Sequence, residues 1–475
     1  MREYSHQSEE RKEDMEELLQ RYENLKTGQS ASYLEEEEFE RIINYFESRE
    51  AFKKALQATE TAIEQFPYSA GLLIKKADLV LNNRAYDTAL ELLDKASIFD
   101  GNNIDIYILR TEALLALDRQ EAAVMLLEEA LNLFDGDEKI ELLFELADVY
   151  DDYESFDKVF DCLKWILELE PANEEALYKI CFWTDYTGRN AESIELHQKI
   201  INEFPYSELA WFNLGAAYQG IKLYEKAIDA YQYAIVIDEK FDYAYRNIGD
   251  AYIRLRKYKD AIEYLERVLE LAKPEDVIYE AIGYCYEKLK NYAQARFYFR
   301  KASHLNEDKG ALLYKMALTY YKEDKFELCI RQLEAALKIK NNTPEYLLLM
   351  GQSKLALGLN KDALQYFLNV VRLRPKQLMG WDALIIGLYK AEQFDQGLEQ
   401  IQHAIARIGA DKPKPLFYYY KALFYFGLGQ SKQALIELEE GLARAPRQLK
   451  KILEIEPALL QRPAVAALIA KLKRK

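Results

Sequence analysis

The sequence predicts an all-α solenoid, a run of helical hairpins stacked one upon the next. Three observations lead there. A block of residues returns about every 34 positions through most of the 475-residue chain. Small side chains recur at fixed places inside that block. The 19 Gly and 11 Pro are too few for many β-hairpins or long linkers, while the periodic segments rich in Ala, Leu, Glu, Lys and Tyr favour helix.

The block is clearest in its centre. Ala210-Trp211-Phe212-Asn213-Leu214-Gly215-Ala216-Ala217-Tyr218 is followed by Tyr224-Glu225-Lys226-Ala227. Thirty-four residues on stand Tyr245-Arg246-Asn247-Ile248-Gly249-Asp250-Ala251-Tyr252 and Tyr258-Lys259-Asp260-Ala261, and after another 34 Tyr279-Glu280-Ala281-Ile282-Gly283-Tyr284-Cys285-Tyr286 and Tyr292-Ala293-Gln294-Ala295. With the Gly at place eight, twelve repeats begin near Glu36, Ala70, Ile104, Ile140, Glu174, Glu208, Asp242, Asp276, Gly310, Pro344, Leu378 and Pro415. Place twenty is small in most of them, from Ala55 through Ser193, Ala227, Cys329 and Gly397 to Ala434. A Pro closes several repeats, as Pro67, Pro171, Pro205, Pro375 and Pro446, because it cannot continue a helical hydrogen-bond ladder.

This pattern resembles the tetratricopeptide repeat, W-x2-L-G-x2-Y followed by a small residue, an aromatic, another Ala and a Pro. The resemblance implies a right-handed superhelical α-solenoid in which each repeat is a hairpin of helix A and helix B. Places eight and twenty are expected to face each other where the two helices cross, with the aromatics of places four and eleven beside them. One hairpin cannot bury its own apolar face, so neighbours must stack. Repeats four and five carry Val159, Ile166, Cys181 and Ile200 where small residues are usual, so their helices are expected to sit further apart. Extra residues at Asp135-Gly136-Asp137-Glu138 and at 409–415 are expected in loops between repeats.

The domain plan has three parts. Residues 1–35 form an acidic tail or helix; 8–26 as a helix sets Met15, Leu18, Leu19, Tyr22 and Leu25 on one stripe, and Ser30-Ala31-Ser32 reads as a start signal for the first repeat. Residues 36–448 are the repeats. Residues 449–475 are expected to cap the array with helices at Leu449–Leu460 and Pro463–Lys471, followed by the basic Lys471-Leu472-Lys473-Arg474-Lys475.

Composition excludes several classes of function. A net charge of -17 repels phosphate backbones and argues against nucleic acid as the partner. The N-terminal stretch has no apolar signal region and no run of apolar residues is long enough to span a bilayer, so cytoplasm is the expected compartment. Cys162, Cys181, Cys285 and Cys329 show no metal or disulfide spacing, and Cys181 and Cys329 fall at packing places. His6, His197, His304 and His403 lie in separate segments, with His197 at place twenty-four, a packing position. Phosphate-binding, zinc-hydrolase and nucleophile-elbow motifs are missing. No catalytic residue, metal or cofactor is therefore expected.

The resemblance implies that helix A lines the inner wall, where places two, five, six, nine, twelve and thirteen meet a protein or peptide partner. In repeat four these places hold Glu141, Glu145, Asp148, Asp151 and Asp152, an acidic patch; in repeat five they hold Tyr178, Lys179, Phe182, Asp185 and Tyr186. The candidate partner-binding residues are Tyr178, Phe212, Asn213, Arg246, Asn247, Tyr284, Tyr314, Lys315, Tyr321 and Tyr389, since exposed aromatics and Arg most often anchor interfaces. Asn213 and Asn247 share place six and would form a two-rung asparagine ladder for a ligand backbone. The basic clamp that some family members use for a C-terminal carboxylate is not matched, with Ala216, Val277 and Ala281 at its places. The expected function is an interaction scaffold. The alternatives are a regulatory sensor subunit or an oligomeric spacer, the last joined through an apolar groove of Leu348, Leu349, Leu355, Met379, Ile386 and Tyr389.

Overall fold

A computed structural model describes residues 2–27, 33–409 and 414–473, with side chains from residue 14 to residue 470 of these. The described residues form helices and turns with no strand. The chain divides into two compact units, 1–239 and 240–475.

The first unit opens with α1 (Arg2–Lys26). Six hairpins come next: α2 (Glu36–Glu47) with α3 (Phe52–Gln65), α4 (Ala70–Asn82) with α5 (Tyr86–Phe99), α6 (Ile104–Ala116) with α7 (Gln120–Ala130), α8 (Gly136–Asp152) with α9 (Phe156–Leu169), α10 (Glu174–Thr187) with α11 (Asn190–Glu203), and α12 (Glu208–Gly220) with α13 (Tyr224–Ile237). The second unit continues with α14 (Asp242–Arg254) and α15 (Tyr258–Leu271), α16 (Asp276–Lys288) and α17 (Tyr292–Leu305), α18 (Gly310–Lys322) and α19 (Phe326–Ile339), α20 (Pro344–Ala356) and α21 (Asn360–Leu373), α22 (Leu378–Lys390) and α23 (Phe394–Ile408), and α24 (Leu416–Gly427) and α25 (Ser431–Arg444). It closes with α26 (Leu449–Ile455), a 3-10 turn at Pro457–Gln461 and α27 (Pro463–Lys473). Within each unit successive hairpins pack on one another, which makes each an α-solenoid.

Local chemistry sets where the helices start. Ser69, Asn173 and Ser207 accept hydrogen bonds from the backbone N–H groups of Leu72, Ala176 and Ala210 at 3.2, 2.9 and 3.3 Å. These satisfy donors that have no partner inside the first turn. Between helices A and B the backbone turns through one left-handed residue at place fifteen of every repeat. That residue is Gly188, Gly358 or Gly429 in three repeats and an L-residue in the other nine, from Glu50 and Arg84 to Glu392, with φ between 53° and 65°.

The helix crossing differs in one respect from expectation. The residue nearest the place-eight glycine is place twenty-four, not place twenty. A Cβ added to Gly215, Gly249, Gly283 or Gly351 would lie 2.5–2.7 Å from the side chain of Tyr231, Leu265, Phe299 or Phe367 respectively. Place twenty stands just behind, its carbonyl 3.6 Å from the added atom in Gly249 and 3.3 Å in Gly283. A large side chain from helix B thus lies flat on bare backbone of helix A, and place twenty is small because helix A runs over it. Ala227, Ala261 and Ala295 are fully buried there. The aromatics of places four and eleven flank the crossing as expected, with Tyr286 stacked on Tyr298 at 5.5 Å and Tyr252 beside Tyr264 at 5.5 Å.

Other expectations need correction. Gly136, Asp137 and Glu138 do not form a loop; they add a first turn to α8, while the preceding α7 ends early at Ala130. Helices α8 and α9 pack closely despite Val159 and Ile166, both buried between them. In repeat five, α10 does sit away from α11 and leans instead on α9 and α12. Leu348 and Leu349 are buried in the core of the second unit, so they do not form an open apolar groove. The Ser30–Ser32 signal and residues 410–413 of the second insertion lie outside the described residues, as do the side chains of His6 and of the basic residues at 471–475.

Both ends carry caps. Leu18 and Tyr22 of α1 are buried against Phe39 and Phe46, and Arg21 pairs with Glu38 at 2.6 Å. Burying each such side chain contributes about 1.5–3 kcal/mol. At the other end the expected helix 449–460 is broken, because Pro457 has no N–H to extend it and starts a 3-10 turn instead. Ile452, Leu459 and Val465 plug the core of the last hairpins.

Candidate protein-interaction faces

In the first unit α10 packs on α9 and α12 and reaches the A helix α8 through one side chain. Lys179 of α10 reaches Asp148 of α8 at 3.9 Å and sits 4.9 Å above the Phe144 ring. On α10 the spacing i, i+4, i+8 sets Tyr178, Phe182 and Tyr186 on one stripe. These rings are 72%, 61% and 59% exposed. Phe182 stacks on Tyr186 at 6.0 Å; behind them Trp183 stacks on Phe156 at 5.3 Å, and Phe156 meets Tyr186 edge-on at 4.7 Å. Five aromatic groups from two helices thus form one face. The repeat pattern singles out Tyr178 but not Phe156 or Trp183, whose places in the repeat belong to packing; only the fold brings them to the stripe.

On α8, Glu141, Asp148, Asp151 and Asp152 face solvent, with Glu145 half-buried. Burial raises the Glu145 carboxyl above its ordinary range, and the neighbouring charges of Asp148, Glu141 and Glu112 push it the same way. Asp148 is raised too, by burial and by Asp151, against the opposing pull of Lys179. Lys179 divides its charge, since it also pairs with Glu175 at 2.8 Å.

Asn213 departs from the expected ladder. It is 2% exposed, and its amide nitrogen donates to the Leu177 carbonyl at 2.7 Å and to Nε2 of His197 at 3.2 Å. The opposite ring nitrogen of His197 donates to the Ser193 carbonyl at 2.7 Å, which fixes the neutral tautomer. Ser193 and Thr184 continue the chain of polar groups at 3.3 Å. All four side chains are buried, so the gap between α10 and α11 holds a connected polar seam. Place six of repeat six therefore points into the protein, because α10 leans over α12. Phe212, its neighbour, is half-buried against Tyr231 at 5.4 Å.

In the second unit Arg246 forms an ion pair with Glu275, and Asn247 is half-buried on the same helix. Tyr284 carries Lys288 over its ring at 4.8 Å and meets Tyr258 edge-on at 6.3 Å. Lys315 is paired with Glu280, and Lys322 with Glu287 at 2.6 Å, both across adjacent A helices. Tyr314 stacks on Tyr346 at 4.9 Å and Tyr321 meets Phe326 at 5.5 Å; burial raises both phenols. Tyr389 is engaged within the chain, donating to Glu456 of the C-terminal cap at 2.9 Å. Asp382, on the same helix, accepts from both Tyr420 and Lys451. The cap thus occupies the A-helix face of the last two repeats.

Cys162, Cys285 and Cys329 are buried core residues and Cys181 is half-buried. Burial pushes the thiols of Cys162 and Cys285 up to about 12 and that of Cys181 to about 11. Cys329 accepts a hydrogen bond from the buried Ser353 hydroxyl at 3.2 Å. No described helix is long and apolar enough to cross a membrane.

Residues 213–349 match the family model of the tetratricopeptide repeat protein 21 C-terminal ARM domain. No curated protein matches the sequence. Among solved structures, the C-terminal part of a TPR repeat-containing protein from Cytophaga hutchinsonii is 17% identical over 52% of this chain and 99% of that one, with a TM-score of 0.45. YrrB, described as a TPR protein with an unusual peptide-binding site, is 19% identical over 39% of this chain and 96% of its own, at a TM-score of 0.35. The Cut9–Hcn1 hetero-tetramer of the APC/C matches at 12% identity over 83% of this chain and 97% of that one, at 0.36.

Proposed function

Since the chain is a tetratricopeptide-like repeat protein, we propose that it is an interaction scaffold whose A-helix faces hold a segment of a partner protein. The observation that supports this reading most is the Tyr178–Phe182–Tyr186 stripe. Three large rings side by side in water are costly for a soluble surface and rewarding once covered. Phe182 and Tyr186 stack on each other and Phe156 meets Tyr186 edge-on, so these two rings have little side-chain freedom left to lose on binding. In the second unit Tyr284, Tyr314, Lys315 and Tyr321, with Arg246 and Asn247, form the corresponding candidate face. Its cations are already paired, so a partner there exchanges one ion pair for another and gains less.

Photo-crosslinking tests the reading. A photoreactive phenylalanine analogue is placed at Phe182 or, as a control, at exposed Tyr233 on a B helix. Partner proteins from native extract should crosslink through position 182 and not through 233. Capture through 233 alone would overturn the assignment to the A-helix face.

A further inference from the structure

The occupant of the α8–α10 face can be specified from its chemistry. Its aromatic half comes from α10: Tyr178, Phe182 and Tyr186 are exposed, with Phe182 stacked on Tyr186 and Tyr186 braced by Phe156. Its charged half comes from α8, where Asp148, Asp151 and Asp152 face solvent and Asp148 lies 3.9 Å from Lys179 of the ring-bearing helix. The one cation that α10 sets among them, Lys179, is shared between Glu175 and Asp148. Lys179 already shows what the face accepts, because its ammonium sits over the Phe144 ring while its charge reaches a carboxylate. A guanidinium suits such a site better. It is planar, stacks on an aromatic face and offers donors in a fork that fits a carboxylate.

We infer that this face docks an arginine-bearing basic segment of a protein partner, its guanidinium groups stacked on Tyr178, Phe182 and Tyr186 and paired with the carboxylates of α8. The inference rests on the scaffold function proposed for the chain and adds the partner's chemistry. Charge complementarity carries it. An acidic segment would meet carboxylates it cannot pair with, and a purely apolar one would strip water from them without replacement. The raised Glu145 and Asp148 carboxyls agree: burial is the main cause in both and neighbouring carboxylates add to it, a part that an incoming cation relieves.

The test uses the full chain and fluorescein-labelled nonamers of alternating Arg-Gly, Ser-Gly and Glu-Gly, read by anisotropy. The Arg-Gly peptide should bind and the other two should not. Replacing both Phe182 and Tyr186 by Ala should weaken it about tenfold or more, as loss of two stacked cation contacts implies. Asp148→Asn with Asp151→Asn and Asp152→Asn should do the same. A charge-matched control, Glu263→Gln with Glu334→Gln and Glu399→Gln on exposed B-helix positions, should leave affinity unchanged. Equal loss in the control overturns the inference, because attraction to the acidic chain as a whole then explains binding. No loss in the aromatic pair overturns it as well. If a partner still crosslinks through position 182 while the Arg-Gly peptide fails to bind, the scaffold function stands and the basic occupant is rejected.

Discussion

Asn213 of one repeat donates its side-chain amide to the backbone carbonyl of Leu177 in the repeat before, at 2.7 Å. That bond joins α12 to α10 at the point where α10 stands away from α11. It explains why an Asn occupies a place that in other repeats would face outward. The His197 ring nitrogen buried in the widened gap needs a donor, and Asn supplies two N–H groups, one to that nitrogen and one to the second lone pair of the Leu177 carbonyl.

Asn213→Ala should therefore destabilise the chain and not merely weaken binding. It leaves the buried His197 Nε2 without a donor and removes the second hydrogen bond on the Leu177 carbonyl, at a cost of about 1–3 kcal/mol. Thermal unfolding followed by circular dichroism should show a lowered transition. An unchanged melting curve with reduced partner affinity would restore the ladder.

Stability should also fall in acid through His197. The ring is fully buried, and burial, opposed by the hydrogen bond to Ser193, lowers its pKa from 6.5 to about 4. Because Nε2 accepts from Asn213, a proton there sets one N–H against another. The folded-state pKa lies below the unfolded one, so the contribution is complete above about pH 6.5 and is lost as pH falls towards 4. The full loss amounts to roughly 3 kcal/mol. His197→Phe, which places a ring like that of Phe299 or Phe367 at place twenty-four, should flatten the profile between pH 6.5 and 4. An identical profile in the variant would sink the assignment.

The period of 34 fixed the helices because it reports backbone spacing directly; α4, α6, α10, α12 and most later A helices begin at the residue the frame marks. The face was less legible. Place in the repeat tells which way a side chain leans only if neighbouring helices pack alike. Where α10 moved off α11, Asn213 turned inward. Tyr389 was lost to the groove for a different reason, since its partner Glu456 is 67 residues away and outside the repeat. Phe156 and Trp183 joined the stripe through a contact between helices that no spacing within one helix encodes.

Gly249→Leu should cost more than a surface change, because Leu265 leaves no room for it. Its Cβ alone would fall 2.7 Å from the Leu265 side chain. Overpacking of this kind costs about 1–3 kcal/mol or more. Gly249→Leu combined with Leu265→Ala should recover part of the loss, as the removed side chain makes space. Failure of the pair to recover anything would show that place twenty-four is not the partner of place eight.

The left-handed residue at place fifteen yields a prediction of the opposite sign. An L-side chain in that conformation costs about 1–2 kcal/mol, whereas Gly adopts it freely but gives up about 0.5–1 kcal/mol in unfolded-chain entropy. Lys222, with φ 65°, and Arg256, with φ 58°, are exposed at this turn. Lys222→Gly and Arg256→Gly should each raise the urea midpoint slightly, by up to about 1 kcal/mol in stability. Gly358→Ala should lower it by about 1 kcal/mol even though nothing stands within 4 Å of the new Cβ, since the cost lies in the backbone alone. A gain at 222 and a loss at 358 together identify the turn as the cause; shifts of the same sign at both positions would place it in side-chain contacts.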